Sequence, residues 1–439
     1  MTVLRLLTIN GLIRISAAGS GQLFAFLLAD RMSGQAGVGS ILIGIIGAAF
    51  FLTELVGAPF AGNLADRIGQ HKVLRWGPVF GIVSAIVAAS VALGAGSVGL
   101  LVAILFVARL NEGASAAFAV PTTLTLLSRL TDGDNRHRTR VMGAFEVTSL
   151  VGMIAGYVIV GIAWDQLGTG AFLLLPPIYM LAWWLVGNRE EAGEKASARG
   201  ITSTTTAIKT AVSASSAPEV RPLRAVLNVL RRLASNRENL AFGISWLSIN
   251  AIVGLWIQQA PFLLSLPDRS ASQVLVGGYS GQEIGLVFAA WGGAFLVGIA
   301  LWSWLAPEMN RSRTMSIALI GMLGVVASLF WVNHGGPTSI LWLGLALVMV
   351  EAGFTPAAFS HLAELTAPID DSRGAAMGLY SVMLGAGQLF GNLLGGPFAA
   401  RWQMDGVLAL TAGLALISLV GVSMMSTGTQ ISARTQPGK

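Results

Sequence analysis

"GNLADRIGQHK", Gly62 to Lys72, places two glycines and four ionisable residues in eleven positions. The stretches on either side, residues 40–62 and 73–95, are mostly apolar and carry no charge except Glu54 and Arg75. Each is long enough to cross a hydrocarbon layer as a helix, at about 1.5 Å of rise per residue. The quoted segment therefore reads as a short charged connection between two membrane spans.

Composition extends that reading to the whole chain. Of 439 residues, 54% are hydrophobic and 11% charged. A soluble domain carries roughly a quarter charged residues, too many for this chain to match. Backbone polar groups in lipid are satisfied only by helices or closed barrels. The apolar runs are about twenty residues long rather than the roughly ten alternating residues of a barrel strand. The expected fold is an all-α membrane protein with twelve transmembrane helices in two pseudo-symmetric six-helix bundles. The spans are placed at residues 7–29, 40–62, 73–95, 99–128, 141–165, 171–187, 239–264, 282–305, 314–332, 339–366, 374–400 and 406–427. The first has no clear cleavage pattern and is read as a retained helix.

Charge supplies the orientation. With the N-terminus cytoplasmic, 22 of the 27 Lys and Arg residues fall on the cytoplasmic side. Arg14 and Arg109 lie within spans, and only Arg31, Arg269 and Arg401 fall outside. The positive-inside rule thus puts both termini in the cytoplasm. The net charge of +6 is what a cytoplasmic face looks like and calls for no nucleic acid. No cysteine is present, and the four histidines show no metal-ligand spacing, so neither metal nor cofactor is expected. No GxxxxGK[ST] loop appears, which leaves no visible means of using ATP. The expected setting is the plasma (inner) membrane, as a multi-pass monomer in the lipid bilayer.

Residues 188–238 separate an N-terminal bundle, 1–187, from a C-terminal one, 239–439. This linker is rich in Ser, Thr, Ala and charge, and ends in an amphipathic pattern through Leu223, Val226, Leu227, Leu230 and Leu233. The halves are related. Shifted by 235 positions, residues 117–161 match 352–396 at twelve of 45 places, including Pro121 with Pro356 and Arg138 with Arg373. Gly152, Gly156 and Gly161 align with Gly387, Gly391 and Gly396. Paired repeats with small residues at helix contacts suit a transporter whose halves rock against each other.

The opening segment resembles the signature loop of the major facilitator superfamily, G-x-L-a-D-r-x-G-r-k. Gly62, Leu64, Asp66, Arg67, Gly69 and Lys72 occupy its positions, with Gln70 and His71 replacing the commoner basic pair. The loop also sits where the family has it, and the resemblance covers essentially the whole chain. Without the family, Gly62 and Gly69 supply turn geometry and Arg67 and Lys72 the inward charge, while Asp66 stays unexplained. The resemblance implies a latch: Asp66 holds the start of the eleventh span, around Gly374 to Gly378, while the cavity faces outward. An aspartate can do this by accepting hydrogen bonds from a helix N-terminus. In the second half "SWLAPEMNRSR" (303–313) puts Pro307 at the aspartate position, so that copy is degenerate.

Ionisable residues inside spans are costly and are usually paired or functional. "FVARLNEGASAAF" (106–118) resembles the family's fourth-helix motif, with Arg109 and Gly113 in place and Glu112 where Gln is common. In proton-coupled members that arginine is implicated in proton exchange. Arg109 and Glu112, three apart, share a helix face; they form either a self-neutralising pair or a proton site. Arg14 and Glu54 both lie about 12 Å inside their spans and can meet, as a clip or as a titrating or substrate site. Glu351, near the middle of the tenth span with no cation in any second-half span, is a candidate proton carrier. Glu146 is placed for an inner-gate salt bridge with Arg138. The fifth span keeps three glycines but lacks the proline of the family's antiporter motif, which weakens a reading of proton-exchange export. Trp164, Trp183, Trp184, Trp302, Trp304, Trp331 and Trp402 fall near span ends and suit an interfacial belt. Trp246, Trp256, Gln258, Gln259 and Trp291 lie deeper and are candidate cavity walls.

The expected function is secondary active transport of a small molecule by alternating access, coupled to protons, with export of an amphipathic, drug-like compound slightly favoured. A facilitator or symporter for an organic anion, sugar or lysolipid is the alternative. A non-transporting scaffold or sensor would need neither the latch nor the buried charges, and no catalytic arrangement suggests an enzyme. The latch generates a test. Asp66→Asn should insert normally in the membrane but transport poorly in reconstituted vesicles; full transport would remove the latch role.

Overall fold

The computed structural model describes residues 1–94, 97–131, 135–187, 236–305, 309–366 and 372–434. The linker pattern at Leu223–Leu233 and the degenerate Pro307 lie outside them. The first half runs α1 (Val3–Arg31), α2 (Ala36–Ile68), α3 (Gln70–Ala92), α4 (Val98–Leu130), α5 (Asn135–Leu167) and α6 (Leu175–Val186). The second runs α7 (Arg237–Leu264), α8 (Gly281–Leu305), α9 (Arg311–Asn333), α10 (Ile340–Glu351), α11 (Phe354–Thr366), α12 (Ser372–Trp402) and α13 (Met404–Arg434). Ten described stretches are long and apolar enough to cross a membrane. One of them, Arg140–Val186, holds both α5 and α6, and α12 is a further 31-residue helix. Together these are the twelve spans. No strand occurs among the described residues.

Several helices start on a side-chain cap. Thr2, Ser97, Asn236 and Asn310 each accept a hydrogen bond from a backbone N–H in the first turn. The opening segment is less of a loop than expected. α2 continues through Ile68 and α3 begins at Gln70, so Gly69 alone makes the turn, at φ +94°. That backbone conformation is costly for any residue with a Cβ. Gly62, expected to help the turn, lies inside α2.

The tenth span is not the continuous helix expected. It breaks after Glu351, and α11 begins at Phe354. The Gly353 N–H donates to the Val350 carbonyl at 3.2 Å, a tighter bond than the helical one. The Met349 carbonyl it leaves accepts from Trp302 Nε1 at 3.1 Å. Pro356, lacking an N–H, cannot bond back across the break. α4 runs unbroken through the matching Pro121, where Phe118 stands in place of Gly353. Trp302, placed in the interfacial belt by sequence, is instead buried against Gly353. Trp184, Trp304, Trp331 and Trp402 are exposed.

The spaced glycines work alike in the two halves. On α5, Gly152 and Gly156 lie against the α1 backbone at Gly11 and Ile15, and Gly161 against Gly281 of α8. On α12, Gly387 and Gly391 lie against α7 at Leu247 and Ala251, and Gly396 against Ser40 and Ile41 of α2. In each half two glycines seat the helix within its own bundle and the third seats it on the other. The seams α5–α8 and α2–α12 are therefore counterparts, and α1 meets α7 between them.

These seams join the bundles at one end. There a single apolar core includes Leu27 and Ile43 from the first half with Phe262, Leu263 and Ala399 from the second. At the other end, which carries Gly69, this core continues through first-half residues such as Leu6, Leu74 and Leu127, with a small cluster of Ala61, Ala65 and Val73 beside it, while Phe242, Met315 and Leu319 belong to a separate core of the second half. Asp66 and Arg67 are exposed at that end. No hydrogen bond or ion pair joins Asp66 to a described residue, so the expected latch is not made.

The joined end has a clasp that the sequence reading did not anticipate. The Asp165 carboxylate of α5 accepts from Gly281 N–H at 2.7 Å and Gln282 N–H at 2.8 Å, the first amides of α8. An anion at a helix N-terminus is worth up to about 2 kcal/mol. Because the chain has no cysteine, a single Val158→Cys can report on this seam. Adding Asp165→Ala should speed its labelling by a water-soluble maleimide about 5–30-fold, the factor for 1–2 kcal/mol. An unchanged rate would mean that the clasp does not hold the seam shut.

Candidate functional site

Near its middle α4 buries Arg109 and Glu112, with exposures of 3% and 1%. Their i, i+3 spacing lets Arg109 Nη1 donate to Glu112 Oε2. Ser20 Oγ of α1 donates to the same oxygen at 3.1 Å, and Tyr179 Oη of α6 to Oε1 at 3.0 Å. The guanidinium carbon lies 5.0 Å from the Phe50 ring centroid and 5.7 Å from that of Phe24, an arrangement that favours a desolvated cation. Three helices thus converge on one carboxylate.

Ser20 and Tyr179 were not found by sequence reasoning. Tyr179 belongs to α6, whose rotation toward α4 no spacing within α4 can reveal. Its ring lies directly on Gly81 of α3, and this gives it the space to reach Glu112.

Glycines open the pair toward the second bundle. A Cβ at Gly21 would stand 2.7 Å from Arg109 Nη2 and 3.3 Å from Gln258 Nε2 of α7. Gln259, beside it, donates to the Ser40 carbonyl of α2 at 2.9 Å. Asn392 of α12 lies over Gly44 and Gly47 of α2. Gln22, Gln258, Gln259 and Asn392 are fully buried. Both amide atoms of Gln22 and of Gln258 lack a hydrogen-bond partner, as do Gln259 Oε1, Asn392 Oδ1 and Arg109 Nε.

The other expected charges are arranged differently. Arg14 forms an ion pair with neither Glu54 nor Glu146, although its field reaches both. Arg14 and Glu54 are half-buried and Glu146 is exposed. Arg138 donates to the Ser128 carbonyl at 3.3 Å, and no salt bridge joins it to Glu146. Glu351 is buried at the α10–α11 break, with no hydrogen bond to a described residue. Of the deeper tryptophans, Trp246 packs between Phe242 and Phe359 inside the second bundle. Trp256 donates to Thr411 Oγ1 of α13 at 2.9 Å, and Trp291 stacks on Phe295. The glutamines of α7 meet the first bundle at Gly21, Gly47 and the Ser40 carbonyl. No group of three or more candidate metal ligands occurs among the described residues.

The family model of the Major Facilitator Superfamily matches residues 11–368 and again 240–436. The chain belongs to the major facilitator superfamily. Multidrug resistance protein 2 of Bacillus subtilis (strain 168) is 28% identical over 114 residues, which is 26% of this chain and 26% of that protein. The chain thus matches only about a quarter of that relative's length. Among solved structures, a POT family transporter in complex with 5-aminolevulinic acid superposes with a TM-score of 0.67 at 16% identity, covering 97% of this chain and 96% of the other. The nucleoside transporter NupG gives 0.68 at 13% identity, with 97% and 99% covered. A D-xylose–proton symporter gives 0.66 at 14%, with 96% and 95% covered. At these identities the likeness establishes the fold. This major facilitator protein is a multi-pass membrane protein.

Burial of the Arg109–Glu112 pair sets up a test of its energetics. Removing one member of a buried pair strands the other's charge, at about 3–5 kcal/mol, whereas replacing both by apolar residues is often nearly neutral. Arg109→Leu should therefore lower thermal stability sharply, and Arg109→Leu with Glu112→Leu should recover most of the loss. Equal damage from the single and double variants would show that the two charges are not coupled.

Proposed function

We propose that this protein is a proton-coupled secondary transporter working by alternating access, with Glu112 as the proton site. The observation that carries the proposal is the Glu112 carboxylate, held by Arg109, Tyr179 and Ser20 where the bundles meet. When Glu112 takes a proton, Arg109 loses its counter-charge. Its Nη2 and the Gln258 amide of the second bundle both border Gly21. A guanidinium without a carboxylate in an apolar site must find new acceptors, and the Gln258 amide of the second bundle, whose Oε1 has no partner, offers one. Protonation would thereby change what the two halves offer each other. With the orientation read from the charge count, the joined end faces outside, and the open end and the exposed Asp66 face the cytoplasm. The division at residues 188–238 then places a linker between two moving units.

Export of an amphipathic compound draws support from the likeness to a multidrug resistance protein, over a quarter of the chain. The lining of the central site supports a different substrate, argued below. Coupling is tested in proteoliposomes by following solute accumulation with and without a pH gradient. Wild-type protein should accumulate substrate only with the gradient. Glu112→Gln should still exchange labelled for unlabelled substrate but lose accumulation at least tenfold. Glu54→Gln and Glu351→Gln serve as comparisons. Normal accumulation by Glu112→Gln would sink the assignment.

A further inference from the structure

We infer that Gln22, Gln258, Gln259 and Asn392 are the substrate-recognising groups of this transporter, and that the substrate is a neutral solute bearing hydroxyl or amide-like groups. The inference rests on the transporter reading above and names the chemistry of the same site.

α7 and α12 bring Gln258, Gln259 and Asn392 together over Gly44 and Gly47 of α2, and Gln22 follows Gly21 of α1, which faces Gln258. None is exposed, and most of their polar atoms have no partner. An unpaired buried polar group costs about 1–3 kcal/mol, and an apolar residue of similar shape would avoid that cost. Packing alone gives no reason for four such groups in one place. A ligand that both donates and accepts would satisfy them, since each carboxamide offers both functions.

The charges beside them argue for a neutral ligand. Glu112 has its two oxygens occupied by Arg109, Ser20 and Tyr179. Arg109 has its charge answered by Glu112 and its faces covered by Phe24 and Phe50. A lipophilic cation would find no open carboxylate here, and it could not pair the amide N–H groups. An organic anion would compete with Glu112 for an arginine already held. Hydroxyl groups need neither charge. Glycines at 21, 44 and 47 keep the helix backbones close beside the Gln258, Gln259 and Asn392 amides.

The test uses the full-length protein in lipid nanodiscs. Equilibrium binding and thermal stability are measured with uridine, D-xylose and myo-inositol, and with ethidium and tetraphenylphosphonium. At least one neutral solute should bind saturably and raise the melting temperature, and neither cation should. Gln258→Leu and Asn392→Leu should each weaken neutral-solute binding at least tenfold while leaving the empty protein as stable as wild type or more so. A purely structural amide would give the reverse: a less stable protein with unchanged binding. That result overturns the inference, as does saturable binding of a cation in place of the neutral solutes, or binding of no probe. Failure of the coupling reading looks different. Neutral-solute binding with no gradient response would remove the proton and keep the substrate class, whereas gradient-driven movement of ethidium would do the opposite.

Discussion

Backbone-to-backbone approach through glycine is the constraint on which the rest of this structure depends. Between lipid-facing helices there is no hydrophobic force to drive association, so packing must come from close contact. Gly152, Gly156 and Gly161 on α5, and Gly387, Gly391 and Gly396 on α12, give that contact at matched depths. The third glycine of each set lies on the opposite bundle. A side chain there would push the seam apart and take the central amides and the Arg109–Glu112 pair out of register. The same surface that stabilises each bundle therefore sets the spacing of the site between them.

Buried charge is handled economically around that site. Arg109 and Glu112 are neutral as a pair and are hydrogen-bonded on the carboxylate side by two further helices. Below them Arg14, Glu54 and Glu146 are left half-buried or exposed toward the open end. Residues at matching depth there do not bridge. Depth along a helix is readable from 1.5 Å per residue, but the rotation that aims a side chain is set by tertiary packing.

That distinction marks how far the sequence could be read. Apolar run lengths, the aligned glycines and the Gly62–Lys72 segment specified the fold, because each depends on local composition or on spacing within one helix. The Arg109–Glu112 contact was legible for the same reason. Ser20 and Tyr179 were not, since they reach Glu112 from other helices. The glutamines of α7 were recognised as candidates, but their lack of partners is visible only once α1, α2 and α12 are placed around them. Trp302 was misread because its position near a span end suits an interfacial belt, while its indole N–H had a better acceptor at Met349. Gly353 and Pro356 held the signal for the break after Glu351, masked by the apolar run that continues through it.

The break also has a mechanical meaning. α4 is one rod of 33 residues, about 50 Å long at 1.5 Å per residue. Its counterpart is two short segments, α10 and α11, with Trp302 wedged against the joint. A rod passes on a tilt from end to end, whereas a jointed element can bend in its middle. The first bundle is therefore built to act as a stiff lever. The second has a joint at the corresponding depth, so the two halves, though related in sequence, are not mechanically equivalent.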